Sequence, residues 1–364
     1  MASGKNVSPE MRVAVVAITR GGALLGQRLC SSIATLELYV SSRYAGQAGS
    51  RCKRFEPAGL KELIATLWKE YDGFVLIMAT GIVVRIIAPL LESKETDPAV
   101  VVMDDAGRFA ISLLSGHLGG ANELAERCAF ASGARAVVTT ATDANNLPSL
   151  DMLAREQGWI IDDINQVKKL NTLLLDNEEI AVVDPTGQTR TWLHGRGRVT
   201  FYKTFAEAVN SAARGFLFIT NHTLPQQTSP EQLLILRPRN LVLGIGCNRG
   251  TAADEIDAFV ASHLKRLFLS PKSIRCIASV DAKRGEAGLV EFAKRLGVPL
   301  HCFGSGELGR VNFPSPPSEH ALAAVGVAAV AEPAALLASN GGQLLLKKVK
   351  SANVTLAVAE FNEE

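Results

Sequence analysis

The chain has 364 residues, 38 lysines and arginines against 36 aspartates and glutamates, a net charge of +2, and 47% hydrophobic residues. This length predicts two or three domains. The near-neutral charge excludes the basic stripe that duplex nucleic acid requires, and the apolar content excludes a disordered chain. No apolar run reaches the roughly 18 residues of a membrane span, and Met1–Glu10 lacks the apolar block of a signal peptide. We therefore expect a soluble, cytoplasmic protein that binds neither nucleic acid nor a membrane.

Residues 1–148 are predicted to form an N-terminal domain in which strands alternate with helices. Continuous apolar runs in this block are typical of strands covered on both faces. The turn Asp104–Gly107 separates two apolar segments and predicts a strand pair. The predicted strands are Met11–Ile18, Phe74–Ala79, Ala99–Met103, Phe109–Leu113 and Ala136–Thr139.

The periodic signal weakens over residues 149–236, where we expect a less regular middle region. It ends in a polar, proline-bearing linker candidate, Asn221–Pro230. Residues 237–364 are predicted to form a second α/β domain, with strands at Leu241–Ile245, Ser273–Val280, Val298–Phe303, Val325–Val330, Leu344–Val349 and Val354–Ala359. The alternation of strands and helices predicts an α/β fold: two α/β domains with mainly parallel sheets, joined by the middle region.

Six cysteines are scattered along the chain, and no two of them form a C-x-x-C pair. None lies near a histidine at zinc-ligand spacing, so the sequence predicts neither a structural metal site nor a disulfide framework. Most of them are expected to be small buried apolar residues. They are Cys30, Cys52, Cys128, Cys247, Cys276 and Cys302.

Open α/β sheets bind ligands at the carboxyl ends of their strands, so the loops after strands hold the candidate site residues. In the N-terminal domain His117 suits general acid–base chemistry, since its ordinary pKa lies near neutrality. Glu123 would orient His117 or carry a second proton, and Asp143 is the alternative base. Equally, Asn122 would only cap a helix, with His117 a surface residue and Asp143 a turn residue. The substrate-binding candidates here are Thr80, Gly81, Ser115, Gly116, Gly119, Gly120, Asn122, Thr140 and Thr142.

In the C-terminal domain a predicted strand runs into a glycine-rich turn, as in dinucleotide-binding proteins. The third glycine, Gly250, follows Gly246 by four residues, where the dinucleotide fingerprint requires three. The turn would instead bind an anion through backbone N–H groups, with Arg249 adding a charged contact, or bind nothing. Lys283 and Glu286 either bind a substrate acid or form a solvated ion pair. The substrate-binding candidates here are Gly246, Cys247, Arg249, Gly250, Ser279, Lys283 and Glu286.

Longer segments of the sequence are similar to a known family. They are GIVVRIIAPLLESKETDPAVVVMDDAGRFAISLLSGHLGGANELA at Gly81–Ala125, TTATDANN at Thr139–Asn146, and LVLGIGCNRGTAADEI, IASVDAKRGEAGLVEFAKRLGVPL, AEPAALLAS and KKVKSANVTLAVAE in the C-terminal block. Together they closely resemble the cobalt-precorrin-5A hydrolase family of the anaerobic cobalamin (vitamin B12) pathway. The C-terminal part is also similar to a small free-standing protein of the aerobic pathway.

The resemblance implies an enzyme that opens the ring-A δ-lactone of cobalt-precorrin-5A and expels the C20 carbon as acetaldehyde, giving cobalt-precorrin-5B. Cobalt would arrive within the substrate, so we expect no cofactor and no protein-bound metal. The implied partners are this cobalt-corrinoid substrate and neighbouring enzymes of the pathway.

Such a substrate is a flat macrocycle edged with carboxylates. We expect the glycine-rich turns to gather on one positively charged rim with Arg249, Lys283 and Arg284. His117 would be the general base, assisted by Glu123, and backbone N–H groups near Gly119 and Gly120 would stabilise the oxyanion.

Two other classes of protein remain open from the sequence. One is a corrinoid carrier that shelters an unstable intermediate without chemistry. The other is a nucleotide-dependent oxidoreductase, based on the G-x-G turn alone.

Overall fold

A computed structural model describes residues 11–47, 49, 52–93, 96–117, 119–224, 230–319, 322–323 and 326–362. The chain divides into two compact units, Met1–Met152 and Leu153–Glu364, and the described residues contain three sheets. The predicted α/β class with mainly parallel sheets is confirmed. Met1–Glu10 and residues 225–229 of the linker candidate lie outside the described residues, and the domain boundaries at 148 and 236 stay predictions.

The first unit is built on a seven-stranded sheet. Its strands are β1 (Val13–Ala17), β2 (Leu36–Ser41), β3 (Lys53–Phe55), β4 (Gly73–Ile77), β5 (Ala99–Met103), β6 (Phe109–Leu114) and β7 (Arg135–Val137). They lie in the order β3-β2-β1-β4-β5-β6-β7.

Helices cover both faces of this sheet. They are α1 (Arg20–Ser32), α2 (Leu60–Leu67), α3 (Thr80–Ile87) and α4 (Ala121–Ser132). A short helix, α5 (Ala141–Ala144), follows β7. Val15 of β1 shares a core with α1 and α4, whereas its neighbour Val16 shares one with α2 and α3. Because successive strand residues face opposite sides, a strand buried on both sides must be apolar throughout.

The direction of the strands changes once in this sheet. β1 to β5 are parallel, but β6 is antiparallel to β5, with Leu114 opposite Val100 and Ala110 opposite Met103. β7 is parallel to β6. The loops that follow β6 and β7 therefore lie at the edge where β5 begins. The loop after β4, with Thr80 and Gly81, lies at the opposite edge, about 17 Å away along a five-residue strand.

The expectation that all glycine-rich turns of this block share one rim is therefore wrong. The strand pair around Asp104–Gly107 was predicted correctly, but it reverses the chain direction. Because β6 and β7 run in the opposite direction to β1–β5, their carboxyl ends lie at the other edge of the sheet.

The middle region contains a sheet of its own. Its strands are β8 (Ile160–Ile161), β9 (Ile180–Val183), β10 (Val199–Tyr202), β11 (Gly215–Ile219) and β12 (Leu233–Arg237), in the order β10-β9-β11-β12-β8. All its pairings are parallel except that of β8. Its helices are α6 (Leu150–Gln157), α7 (Ile164–Leu175), α8 (Gln188–Leu193) and α9 (Phe205–Val209). Strands of two to five residues carry little periodic signal, so the sequence appeared less regular there.

The C-terminal sheet contains β13 (Leu241–Cys247), β14 (Ile274–Val280), β15 (Leu300–Phe303), β16 (Leu344–Lys350) and β17 (Val354–Glu360), in the order β15-β14-β13-β17-β16. Its helices are α10 (Ala253–Arg266), α11 (Ala287–Leu296), α12 (Ser305–Leu308) and α13 (Ala331–Ala338). β13, β14 and β15 are parallel and end at one edge, and the turn between β16 and β17 returns to that edge, since Val354 pairs with Cys247. The strand predicted at Val325–Val330 is not found at its described residues, 326–330.

Packing accounts for two glycines within the strand β13. A Cβ atom on Gly244 would lie 1.9 Å from the carbonyl oxygen of Ala331, in the first turn of α13. A Cβ atom on Gly246 would lie 2.5 Å from the hydroxyl of Thr355 on β17. These glycines let the strand, the helix and the hairpin approach closely, so a bound dinucleotide is not needed to explain them.

Gly244→Ala is therefore expected to destabilise the protein by about 1–3 kcal/mol or more, because the clash is with backbone that must move. The matched control is Gly285→Ala, where an added Cβ would meet no atom within 4 Å. Urea unfolding compares the two variants with the wild type. Equal midpoints for both variants would contradict this account of Gly244.

Candidate functional site

The neighbouring strands β6 and β7 bring two polar loops together at one edge of the first sheet. The loop after β6 carries His117, and the segment after β7 leads into α5, which contains Thr142 and Asp143. The β6 loop begins at Ser115, whose φ of 55° turns the chain sharply. The Ser115 hydroxyl donates to the carbonyl of Asp97 at 2.9 Å and anchors the loop beside the start of β5.

His117 is hydrogen-bonded on both ring nitrogens. Its Nε2 atom lies 2.8 Å from Oδ2 of Asp143 and 3.1 Å from the hydroxyl of Thr142. Its Nδ1 atom lies 3.2 Å from the hydroxyl of Ser149. The His117 side chain is 20% exposed, so the ring is held in place but remains accessible. A histidine fixed by a carboxylate is the arrangement that general acid–base catalysis uses.

Asp143 accepts three hydrogen bonds on one oxygen, Oδ2. The donors are His117, the hydroxyl of Thr140 and the amide of Asn122 at 3.0 Å. Partial burial acts to raise the pKa of Asp143, but the hydrogen bonds from Thr140, His117 and Asn122 outweigh it, so the pKa lies below its ordinary value. Asp143 is thus an ionised partner of His117, and a low pKa makes it a weak base.

The Asn122 amide group holds this cluster together. Its nitrogen donates to Asp143 and, at 3.1 Å, to the hydroxyl of Thr140, while its oxygen accepts from the hydroxyl of Ser112 at 2.7 Å. Both N–H donors of the amide and one lone pair of its oxygen are thereby used within the protein. Asn122 therefore does not cap α4, whose N-cap is Gly120, but orients Asp143 and Thr140, and its contact with a substrate stays a prediction.

The glycines of this loop serve close packing. A Cβ atom on Gly116 would lie 2.7 Å from the Asn122 amide oxygen, and one on Gly119 would lie 2.3 Å from Cβ of Ser115. The N–H of Gly120 donates to the carbonyl of His117 at 2.9 Å. The Gly120 N–H is therefore already used within the loop, and the predicted stabilisation of an oxyanion by N–H groups near Gly119 and Gly120 stays a prediction for Gly119.

Two members of the cluster were missed from the sequence. The Ser149 hydroxyl, which faces His117, also donates to Asp151. The other carboxylate oxygen of Asp151, Oδ2, lies 3.9 Å from Nδ1 of His117. Ser149 is 7% exposed and Asp151 7%, so both are buried polar residues. Ser149 immediately precedes α6 and Asp151 lies in its first turn, where serine and aspartate are common for local reasons, so no pattern singled them out.

Other predicted residues of this unit lie elsewhere. Thr80 and Gly81 begin α3 at the opposite edge of the sheet. Glu123 is exposed in the first turn of α4, and its assistance to His117 stays a prediction.

A second candidate site is a cavity of about 500 Å³ in the second unit. It lies where β13 and β14 end and the β16–β17 turn returns. The cationic side chains in its lining are Arg249, Lys283, Lys348 and Lys350. No acidic residue is among the described residues that line it. Gly246 and Cys247 were also predicted and line it. Lys348 and Lys350 were missed, because only the unpredicted strand order brings the KKVK run to this edge.

Glu286 occupies the anion-binding position that the sequence predicts in the β13 turn. Its carboxylate accepts the N–H of Gly250 at 2.7 Å and the ammonium of Lys283 at 3.0 Å. These two hydrogen bonds, that of Gly250 first, lower the pKa of Glu286. Lys283 and Glu286 thus form an ion pair, and the exposed cations of the cavity are Arg249 and Lys350.

The C-terminal domain contains three further residues from the sequence prediction, Ser279, Arg284 and Cys247. The Ser279 hydroxyl is fully buried and donates to the carbonyl of Ile245 at 2.7 Å, so its predicted contact with a ligand is wrong. Arg284 is exposed and pairs with Asp281 at 2.5 Å. Burial raises the pKa of the Cys247 thiol, which disfavours the thiolate.

The expectation that most of the cysteines are buried is correct for only two of the six. All six cysteines are free thiols, with Cys128 and Cys276 buried and the other four half-buried. Within the described residues, no group of three or more His, Cys, Asp or Glu side chains is placed to hold a metal ion. Over the same residues, no helix has the length and apolar character needed to cross a membrane.

The described residues thus hold a hydrogen-bonded histidine–aspartate pair in the first unit and a cavity lined by cationic side chains in the second. Three family models match the chain and together span residues 62–359 with two short gaps: "Cobalamin synthesis G N-terminal" at 62–143, "Cobalamin biosynthesis central region" at 148–238 and "Cobalamin synthesis G C-terminus" at 241–359.

Known proteins match almost the whole chain. A cobalt-precorrin-5A hydrolase of Priestia megaterium is 34% identical over 352 residues, 95% of this chain and 94% of that protein. One of Salmonella typhimurium is 32% identical over 371 residues, 97% of this chain and 98% of that protein. This chain therefore belongs to the cobalt-precorrin-5A hydrolase family, also described as cobalamin synthesis protein G.

A shorter relative matches one third of the chain. The protein CobE of a Sinorhizobium species is 35% identical over 121 residues, which are 33% of this chain and 79% of that protein.

The lowered pKa of Glu286 predicts a pH-dependent contribution to stability. We expect Glu286→Gln to reduce the free energy of unfolding by about 1 kcal/mol at pH 7. The difference should shrink as the pH falls through the pKa of folded Glu286, since a carboxyl group with a lowered pKa stabilises the fold only while ionised.

Urea unfolding at several pH values measures this effect. Glu291→Gln is the matched control, since Glu291 forms an exposed pair with Arg295, where a smaller change is expected. A Glu286→Gln effect that grows on acidification would contradict the assignment.

Proposed function

We propose that this protein hydrolyses cobalt-precorrin-5A, opening the ring-A δ-lactone and releasing the C20 carbon as acetaldehyde to give cobalt-precorrin-5B. The single observation that carries the proposal is the His117–Asp143 pair in a chain similar to named cobalt-precorrin-5A hydrolases along 94% and 98% of their lengths. The hydrolysis needs a group that takes a proton from water and returns it to the departing carbon.

His117 is the group proposed for these proton transfers. Lactone opening requires an activated water, and carbon–carbon cleavage then requires a proton at the departing carbon. His117 is accessible and fixed by hydrogen bonds, and Asp143 on its Nε2 side stabilises the ring when it carries the extra proton. Asp143 has two other donors, so it keeps its position when His117 loses that proton.

The cationic cavity is proposed to bind carboxylates of the substrate. Cobalt-precorrin-5A is edged with acetates and propionates, and the exposed cations Arg249 and Lys350 match such groups. The proposal needs no cofactor of the protein, because cobalt is bound within the substrate. Neighbouring enzymes of the pathway, which supply the substrate and consume the product, are the proposed partners.

The alternatives are less well supported. An oxidoreductase would need phosphate groups near the β13 turn, but there Gly244 and Gly246 pack against protein and the Gly250 N–H is taken by Glu286. A carrier without chemistry would need no hydrogen-bonded His117.

The first test follows acetaldehyde release from cobalt-precorrin-5A. We expect His117→Ala to lower kcat by about 100-fold or more, because general acid–base catalysis is lost. His301→Ala is the matched control, because His301 is exposed on the edge strand β15. Turnover of His117→Ala within about threefold of the wild type would refute its role, and no acetaldehyde from the wild type would favour the carrier.

The second test concerns the cavity. Arg249→Ala and Lys350→Ala are each expected to raise KM with little change in kcat, because they remove binding shared by the substrate and the transition state. Arg295→Ala removes a cation that pairs with Asp254 and Glu291 away from the cavity and should leave KM unchanged. A fall in kcat with an unchanged KM would contradict the binding role.

A further inference from the structure

A fully buried glutamate, Glu332, lies directly behind the cationic cavity. Its exposed fraction is 0%, and it lies in the first turn of α13, next to residues 329–331, which line the cavity. We propose that Glu332 is a positioning residue that fixes the strand from which Lys350 reaches the ligand. This inference rests on the proposed binding of carboxylates in the cavity and goes beyond it, since it names the group that holds the cationic wall in place.

Glu332 ties two other parts of the cavity wall to α13. Its Oε1 atom accepts from the Ser315 hydroxyl at 2.7 Å and from the backbone N–H of Lys348, on β16, at 2.9 Å. Its Oε2 atom accepts from the backbone N–H of Ser315 at 3.3 Å. These donors are neutral, so the burial of this carboxylate is costly unless each of the three bonds is kept. The carboxylate thus holds α13, the segment at Ser315 and β16 in one arrangement.

The contact between Glu332 and β16 lies at an irregularity of that strand. Between the pairs Leu346–Val358 and Val349–Leu356, β16 has two residues, 347 and 348, where β17 has one. Such an extra residue is a β-bulge, which disrupts the ladder locally and changes the direction of the neighbouring side chains. β16 is last in the sheet order, beside β17. Because Glu332 accepts the N–H of residue 348, it stabilises the bulge on an edge strand.

The bulge decides which lysines of β16 face the cavity. Lys348 and Lys350 line the cavity. The ammonium of Lys348 donates to the carbonyl of Pro316 at 2.9 Å, which leaves Lys350 as the exposed cation that lines the cavity from this strand. A slip of β16 by one residue would turn Lys350 to the other face of the sheet. Glu332 therefore acts on the ligand through Lys350 and does not itself line the cavity.

The kinetics of Glu332→Gln test this role. The variant keeps the shape of the side chain, but its NH₂ group would face a donor where a carboxylate oxygen now accepts, so the wall is loosened. We expect KM for cobalt-precorrin-5A to rise about fivefold with kcat within about twofold. Ser315→Ala removes one donor to Glu332 and should raise KM about threefold, which keeps the test open if Glu332→Gln does not fold. An unchanged KM in the folded variants would refute the positioning role.

A double variant separates this role from a general loss of stability. If Glu332 acts through Lys350, Glu332→Gln should change KM by less than about twofold in a protein that already carries Lys350→Ala. Equal fold-changes in KM with and without the Lys350 side chain would overturn the inference.

Glu360→Gln is the matched control. Glu360 is a partly buried carboxylate of the same sheet, on β17, and it accepts from the side-chain amides of Asn221 at 2.9 Å and Asn240 at 2.8 Å. It pairs with Leu241, where β13 begins, at the edge of the sheet away from the cavity. The variant also removes hydrogen bonds of a carboxylate, but we expect no change in KM.

Citrate binding, measured by calorimetry, separates failure of this inference from failure of the proposed function. The wild type should bind this tricarboxylate about fivefold more tightly than Glu332→Gln does, whether or not the protein acts on a corrinoid. If no acetaldehyde forms but this difference is found, the proposed function fails and the role of Glu332 stands. If acetaldehyde forms while KM and citrate affinity are unchanged in Glu332→Gln, only the role of Glu332 fails. A wild type that binds no citrate would also overturn the inference, since the cavity would then not bind carboxylates.

Discussion

The candidate active site depends on the antiparallel pairing of β5 with β6. A parallel β6 would end at the same edge of the sheet as β4, and its loop would lie at the edge that holds Thr80 and Gly81. The hairpin instead reverses the chain, so β6 and β7 both end where β5 begins, and their adjacent loops place His117 beside Asp143. α4 begins directly after the β6 loop, at the same edge of the sheet, and supplies Asn122. This reversal of chain direction thus brings together His117 and Asp143, which are 26 positions apart in the sequence.

The polar groups so assembled are satisfied by one another. Asn122 uses its oxygen on Ser112 and its nitrogen on Thr140 and Asp143, and these bonds fix the carboxylate that faces His117. Fully connected polar networks hold one geometry, because any rearrangement leaves a partly buried group without a partner. The close contacts at Gly116 and Gly119 allow the loop to fit so tightly around the network. Preorganisation of this kind lowers the cost of proton transfer.

Sequence reasoning identified the elements with strong periodicity and the polar loops that follow them, so His117, Asp143 and Asn122 were found in advance. It failed where strand order or direction decides proximity. Thr80 follows a strand as His117 does, yet lies at the other edge of the sheet. Lys350 reaches the cavity only because β17 pairs with β13. Ser149 and Asp151 carry no signal because serine and aspartate are frequent at helix starts.

The cationic cavity of the second unit offers flexible charged side chains, whereas the cluster around His117 holds its polar groups in fixed positions. Glu286 already neutralises Lys283 and binds the Gly250 N–H, so the backbone of the β13 turn has little left to offer a ligand. Recognition of an anion in the cavity then falls to exposed side chains such as Arg249 and Lys350, which are long and flexible. Flexible cations attract carboxylates over a range of positions, whereas a fixed N–H pair would demand one. The proposed function accordingly assigns proton transfer to the rigid cluster of the first unit and the binding of carboxylates to the adaptable cationic surface of the second.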